Sequence, residues 1–464
     1  MRANTAVLFC LFATFIPASF AQEKPPAPGA PRSVSIPAVV EKKLPNGLTV
    51  ATVQRTNVPL VTMQLVIRSG AGVEPGAKAG LADLTASMLT KGTKTRTATQ
   101  VAEDVEFLGG AIQSGAGWNS SFVAMTVTSD KAAQAMALLG DVILNPKFDQ
   151  KELDLLRSQY LDGLTANLKQ PGFIANFVAT KYSFGEHPAG GTPASLAAIT
   201  RDDVVNFHRG NFAPENAVLI FTGNITLAAA ASLAAATFGK WRRLQTWGDP
   251  HEYVARAARG GDQILVVDLP KSGQASVVYT KPLTSTGRQS AAFYPAVVLN
   301  SVLGGGYSSR LNLEIRIKRG LSYGAGSSFV WRTPRSNFAT RTQTKNQSAA
   351  EVADLILDEV KKLTKNNVGK DELVPRKSVL TGTFGRGLET TTGLASALAD
   401  LYVFGIPTNE LNTYVTNVNN VSDSQIKGFA AGDLMGGDII IVGDYSIFKD
   451  DLAKRFPKSK ITVI

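Results

Sequence analysis

"ITRDDVVNFHRGNFAPENAVLIFTGNI", residues 199–225, and "VSDSQIKGFAAGDLMGGDIIIVGDY", residues 421–445, are one passage written twice. Each has Asp or Ser near a helix start, then a loop, then an apolar strand that stops at glycine. Val204 and Ile426 stand 222 positions apart, and Gly223 and Gly443 stand 220 apart. Two landmarks with nearly one offset point to a duplicated unit rather than to chance likeness.

The same offset carries the comparison towards each unit's start. "LTVATVQRTNVPLVTMQLVIRSGAG" from Leu48 alternates and is rich in Val, Ile and Thr, as two strands joined by a turn should be. "DQILVVDLPKSGQASVVYTK" from Asp262 repeats that plan. A helix is expected after each, around Gly80–Leu89 and Gln289–Leu303. "VEFLGGAIQSGAGWNSSFVAMTV" and "IRIKRGLSYGAGSSFVWRT" then each give a helical end, a glycine turn and a strand. Long helical patterns fill the rest, among them "DQKELDLLRSQYLDGLTANL" and "AAEVADLILDEVKKL". The expectation is an α+β chain of two homologous domains, each a mainly antiparallel sheet with helices packed on one side. The boundaries fall at 39–235 and 259–464, with a linker over 236–258 whose Trp241, Arg242, Arg243 and Trp247 pack the domains together.

Composition narrows the function. Residues 1–21, with Arg2, an apolar run and Ser19 and Ala21 before the cut, have the form of a secretory signal peptide. That run is shorter than the ~20 residues a bilayer demands, and the mature chain has no other segment long and apolar enough to be transmembrane. The single cysteine, Cys10, lies inside the signal, so the exported chain has no disulfide and no thiol chemistry. Residues 22–38, rich in proline and small residues, read as a flexible lead-in. The net charge of +11 is spread along the chain without a basic run that alternates with aromatics, which argues against nucleic acid as a partner. The expected location is the periplasm or the extracellular space.

Six stretches in order resemble the M16, or pitrilysin-type, metallopeptidases, in the branch of short two-domain chains that includes processing-peptidase subunits. They are "LPNGLTV" at 44–50, "GLADLTASMLTKGT" at 80–93, "HPAGGTPASLAAIT" at 187–200, the strand from Asn216 to Gly223, "SVLGGGYSSRLNLEIRIKRGLSYGAGSSF" at 301–329, and "LYVFGIPTNELNTY" at 401–414. Active members carry His-x-x-Glu-His on the first helix, where two histidines one turn apart reach one Zn²⁺ and the glutamate works on its water. The resemblance lays that motif on Asp83, Leu84, Thr85, Ala86 and Ser87, and the distal glutamate on Gly163, beside Asp162. The first ligand position is thus Asp83, the base position is Ala86, the second ligand is Ser87, and the distal ligand is gone. His187, His208 and His251 are isolated and cannot rebuild the site. No metal and no other cofactor is expected on this chain.

What the family's second domain supplies is retained. An Arg and a Tyr of that domain reach a zinc site, and "RIKRGLSYG" places them at Arg316 and Tyr323. The bland alternative makes Arg316 one of a solvated trio with Lys318 and Arg319, and Tyr323 half-buried packing in a strand. The resemblance implies a non-catalytic subunit, inactive alone, that lends Arg316 and Tyr323 to the zinc site of a zinc-bearing M16 sister and so helps cleave unfolded peptide. The edge strand that would bind peptide by strand addition falls at 111–122, with Gln113, Ser114, Gly115 and Ala116 where active relatives show Asn-Ala-x-Thr. The alternative is a peptide-binding or scaffolding protein without hydrolysis. Gly304–Gly306 read as a helix C-cap and tight turn, since no Lys-Ser or Lys-Thr follows to make a phosphate loop.

Overall fold

The computed structural model describes residues 36–184, 187–188, 190–244 and 263–464. The signal at 1–21, the lead-in up to 35 and the linker from 245 on lie outside the described residues.

Six strands of the first half are β1 (Val40–Lys43), β2 (Thr49–Gln54), β3 (Leu60–Ile67), β4 (Ala111–Ala116), β5 (Ser121–Thr128) and β6 (Ala217–Gly223). They form one sheet in the order β1-β2-β6-β3-β5-β4. The second half gives β7 (Gln263–Asp268), β8 (Ala275–Leu283), β9 (Ala325–Val330), β10 (Ser336–Thr344), β11 (Asp438–Gly443) and β12 (Lys460–Val463), in the order β12-β7-β11-β8-β10-β9. The core order β2-β6-β3-β5-β4 is therefore repeated as β7-β11-β8-β10-β9. β2 runs parallel to β6 as β7 does to β11, and the three pairings that follow in each sheet are antiparallel. Only the outer strand differs: β1 precedes its sheet and is antiparallel to β2, whereas β12 follows its sheet and is parallel to β7.

Side-chain alternation sorts each strand between two cores. In β6, Leu219 and Phe221 join the core under the first half's own helices, with Met63 and Leu65 of β3. Val218 and Ile220 point the other way, onto Leu394, Ala395 and Leu398 of the helix Thr391–Val403, which belongs to the second half. The second sheet mirrors this. Ile439 and Ile441 face its own helices, while Ile440 and Val442 meet Ala175 and Ala179 of the helix Pro171–Phe184 from the first half. Each sheet thus has its own helices on one side and a single borrowed helix on the other. Both faces being covered explains why β6 and β11 are buried along their whole length.

Polar contacts fix the exchange. Thr62 Oγ1 donates to Thr391 Oγ1 at 2.8 Å, and Thr222 Oγ1 to the Thr391 carbonyl at 2.8 Å. Arg55 reaches the Leu388 carbonyl at 2.6 Å, and Ser183 Oγ lies 3.0 Å from Thr280 Oγ1. Trp118, in the β4–β5 turn, donates its indole N–H to the Thr333 carbonyl at 3.0 Å.

Three boundary expectations change. Ile36 is buried against the first sheet's outer face, so the lead-in ends before it. The last helix of the first half is Leu227–Phe238, and fully buried Phe238 carries that half beyond 235. Trp241 stacks on Phe238, ring centroids 5.4 Å apart, and packs on the first half's core rather than between halves. The borrowed helices join the halves instead; Trp247 is outside the described residues.

Candidate functional site

The helix Leu81–Met88 begins at Gly80, whose φ of +98° belongs to the left-handed region. A Cβ there would also meet Leu196 Cδ2 at 2.6 Å. The buried Glu74 caps this helix, its Oε1 accepting from Gly80 N at 2.7 Å and its Oε2 from Ala82 N at 2.6 Å. Burial pushes the Glu74 carboxyl up to about 7, outweighing the pull of those backbone N–H groups. His187 Nε2 stands 3.6 Å from Glu74 Oε1, and burial holds the imidazole below its ordinary range.

One turn inside the helix, Asp83 and Ser87 are bridged by a phenol. Tyr160 donates its O–H to Asp83 Oδ2 at 3.1 Å, and Ser87 Oγ lies 2.8 Å from the same phenol oxygen. Since Tyr160 has one proton and gives it to the carboxylate, Ser87 is the donor to Tyr160. Burial lifts the Tyr160 phenol to about 12, so it stays neutral. Asp83 Oδ1 accepts from Ala116 N at 2.9 Å, at the end of β4. Ala86 is fully buried in the helix, and Gly163 is exposed on the helix Gln150–Asn167, three residues after Tyr160. Asp83, Tyr160 and Gly163 line one cavity of about 480 Å³, walled also by Phe173 and Phe177.

These residues do not fit a zinc ion. Both oxygens of Asp83 are engaged, the Ser87 hydroxyl is spent on Tyr160, and Ala86 and Gly163 offer no donor. Among the described residues no group of three His, Cys, Asp or Glu is placed to hold a metal. His208 lies elsewhere, its Nε2 2.9 Å from the Ile143 carbonyl between Phe148 and Phe212; His251 is outside the described residues.

Arg316 sits on a wide-turn (π) helix, Asn312–Lys318. Glu314 pairs with Lys318 and with Arg319, and Glu351 lies 3.9 Å from Arg319, so two members of the expected trio have carboxylate partners. Arg316 faces no carboxylate among the described residues and lies over the Tyr307 ring, 5.0 Å from its centroid. Tyr307 is itself an exposed ring. Tyr323 is 91% exposed and precedes β9, so it is not packing within a strand. The residues that line the cavity at Asp83 all come from the first half, so Arg316 and Tyr323 do not line it. Sequence reasoning missed Tyr160, Tyr307 and Glu74. Tyr160 had a signal, being three residues before Gly163 on one helix face.

Gly304 ends the helix Phe293–Leu303, as expected of a C-cap. Its φ of −150° needs no glycine, but a Cβ would lie 2.3 Å from Ser327 N. The bare backbone lets the Gly304 carbonyl accept from Ser327 N at 3.1 Å, on the outer edge of β9.

Two family models match the chain in succession, the second starting ahead of β6 of the first sheet and ending before β11. The model of the insulinase family, peptidase family M16, matches residues 49–178, and the model of the peptidase M16 inactive domain matches 198–379. The chain belongs to the M16 peptidase family. This M16 chain is 25% identical to a Rickettsia felis protein described as an uncharacterized zinc protease, over 81% of this chain and 91% of that protein. It is 26% identical to the mitochondrial-processing peptidase subunit beta of Blastocladiella emersonii, over 60% of this chain and 58% of that subunit. Its fold matches a peptidase M16 inactive domain from Pseudomonas fluorescens with a TM-score of 0.80 at 23% identity, covering 87% of this chain and 98% of that one. A protease from Helicobacter pylori matches with a TM-score of 0.83 at 19% identity, covering 88% and 100%.

Proposed function

We propose that this M16 chain is the non-catalytic subunit of an exported heterodimeric zinc peptidase. In this account it lends Arg316 and Tyr323 to the active site of a zinc-bearing sister. The observation that carries the proposal is the state of the Arg316 guanidinium. It has no carboxylate among the described residues while its neighbours Lys318 and Arg319 share Glu314, and it is set against the Tyr307 ring. A cation held in that way, on a chain whose Tyr323, seven residues on, is almost wholly exposed, is ready for a partner's groups. The bridged Asp83, Tyr160 and Ser87 support the same view, since this chain's own motif positions are occupied with each other.

In the assembled site, the planar guanidinium of Arg316 would hold a carbonyl of an unfolded peptide through paired N–H donors. The Tyr323 O–H would donate to the oxyanion as the carbonyl carbon becomes tetrahedral. The sister supplies the metal and the water; this chain supplies position and charge.

A second reading, peptide binding without hydrolysis, draws on β4. That strand pairs on one side only and so offers an edge to an extended peptide, although Asp83 already occupies its Ala116 N–H. Zinc stoichiometry of the purified chain, of the zinc-bearing sister and of their mixture separates the accounts. The proposal expects no stoichiometric zinc on this chain and one zinc per heterodimer. Stoichiometric zinc on this chain alone overturns it. Peptide binding with no complex formed between the chains favours the second reading.

A further inference from the structure

A second cavity, of about 370 Å³, lies in the second half under the borrowed helix Thr391–Val403. Its size falls within the roughly 300–1,000 Å³ of small-molecule sites. The wall is largely aromatic: Trp331, Phe384 and Tyr414 line it, and the last two stack with ring centroids 4.2 Å apart. Three charged side chains converge on it. Arg288 gives Nη2 to Glu410 Oε1 at 2.6 Å, Nη1 to Glu410 Oε2 at 3.4 Å, and Nε to Asp400 Oδ2 at 3.2 Å.

That arithmetic leaves the site with one cation against two carboxylates. Every guanidinium nitrogen of Arg288 faces a carboxylate, and both oxygens of Glu410 are taken. Asp400 Oδ1 accepts no hydrogen bond from the described residues. The side chains of Arg288 and Glu410 are 7% and 13% exposed, whereas that of Asp400 is 49% exposed. Asp400 and Trp331 also line an adjoining cavity of about 300 Å³ between this helix and the first sheet. Asp400 is thus the most exposed member of the trio, and Trp331, Phe384 and Tyr414 line the same cavity.

We propose that this cavity binds an organic ammonium ion, held between the free Asp400 carboxylate oxygen and the rings of Trp331, Phe384 and Tyr414. An anion would meet an excess of negative charge. A wholly apolar ligand would strip water from the half-exposed Asp400 side chain and put no donor or charge in its place. A cation satisfies it and gains from the ring faces. Desolvation raises the Asp400 carboxyl above its ordinary range, a strain that a bound cation relieves. Arg316 and Tyr323 do not line this cavity.

The test is isothermal titration calorimetry on the full chain with choline and with 3,3-dimethylbutan-1-ol, which has choline's shape without its charge. Choline should bind about tenfold more tightly or better. Asp400→Asn should abolish that preference, and Phe384→Leu, which keeps the Arg288 network, should weaken choline by severalfold. Circular dichroism checks both variants; should Asp400→Asn fail to fold, Phe384→Leu decides. N-acetyl-lysine methylamide forms a further arm: tighter binding than choline assigns the ammonium to a peptide lysine, weaker binding to a free small molecule. Equal binding of choline and its neutral analogue, unchanged choline affinity in the folded variants, or no binding of either cation at millimolar concentration overturns the proposal.

Discussion

Removing the Tyr160 hydroxyl leaves Asp83 Oδ2 without its donor and Ser87 Oγ without its acceptor. Tyr160→Phe should therefore destabilise the chain by about 1–3 kcal/mol, the usual cost of an orphaned polar group. Because the phenol occupies a site with no metal role in this account, activity supported in a complex should be unchanged; urea unfolding and peptide turnover together check this. A pH test concerns Glu74 and His208, which pull in opposite directions. Glu74 has its carboxyl raised from 4.5 to about 7, so its contribution to stability is present at low pH and is lost as pH rises through that window. Burial depresses His208 from 6.5 to about 4, so its contribution is present above 6.5 and is lost as pH falls towards 4. Each slope is at most about 1.4 kcal/mol per pH unit, and between pH 4.5 and 6.5 they offset one another. Glu74→Gln removes one of the pair. Its melting temperature should climb more steeply with pH across that range than the wild type's, and equal slopes would refute the assignment.

At the scale of elements, the duplicated sheet was legible because one strand of each copy ends in a glycine at a matching offset. Gly223 and Gly443 close β6 and β11 as the sequence comparison implies. The helix exchange was not legible. Alternation in β6 and β11 is hidden when both faces are covered, and the helical pattern of "PGFIANFVATKYSF" tells that Ala175 and Ala179 are buried, not which sheet buries them. The motif positions Asp83, Ala86, Ser87 and Gly163 were readable by resemblance, but the phenol that ties two of them together required the fold. Ala175 is wholly buried in one cluster with Leu265, Val278 and Ile440. Ala175→Leu should thus overpack the seam and cost about 1–3 kcal/mol, read from the denaturation midpoint. At Gly304 a methyl group would collide with Ser327 N and push β9 out of contact. Gly304→Ala should lower the melting temperature and loosen amide-exchange protection in β9; protection equal to the wild type's would show that the backbone approach is not needed.

For the whole molecule, the borrowed helices mean that neither half can close its sheet alone. Scanning calorimetry should show one cooperative transition across both halves, and two separable transitions would refute mutual dependence. The same architecture bears on the function proposed. The first half keeps its helix and sheet but has tied Asp83 and Ser87 to Tyr160, while in the second half Arg316 lies on the Tyr307 ring and Tyr323 is exposed. The most direct test is turnover of a quenched fluorescent peptide by the zinc-bearing sister mixed with the wild-type chain, with Arg316→Ala or with Tyr323→Phe. The account predicts no turnover by this chain alone and turnover on mixing. It predicts a loss of about 10²–10³ in kcat for either substitution, with melting temperature unchanged. Zinc-dependent cleavage by this chain alone, or full activity from a complex carrying Arg316→Ala, would contradict it.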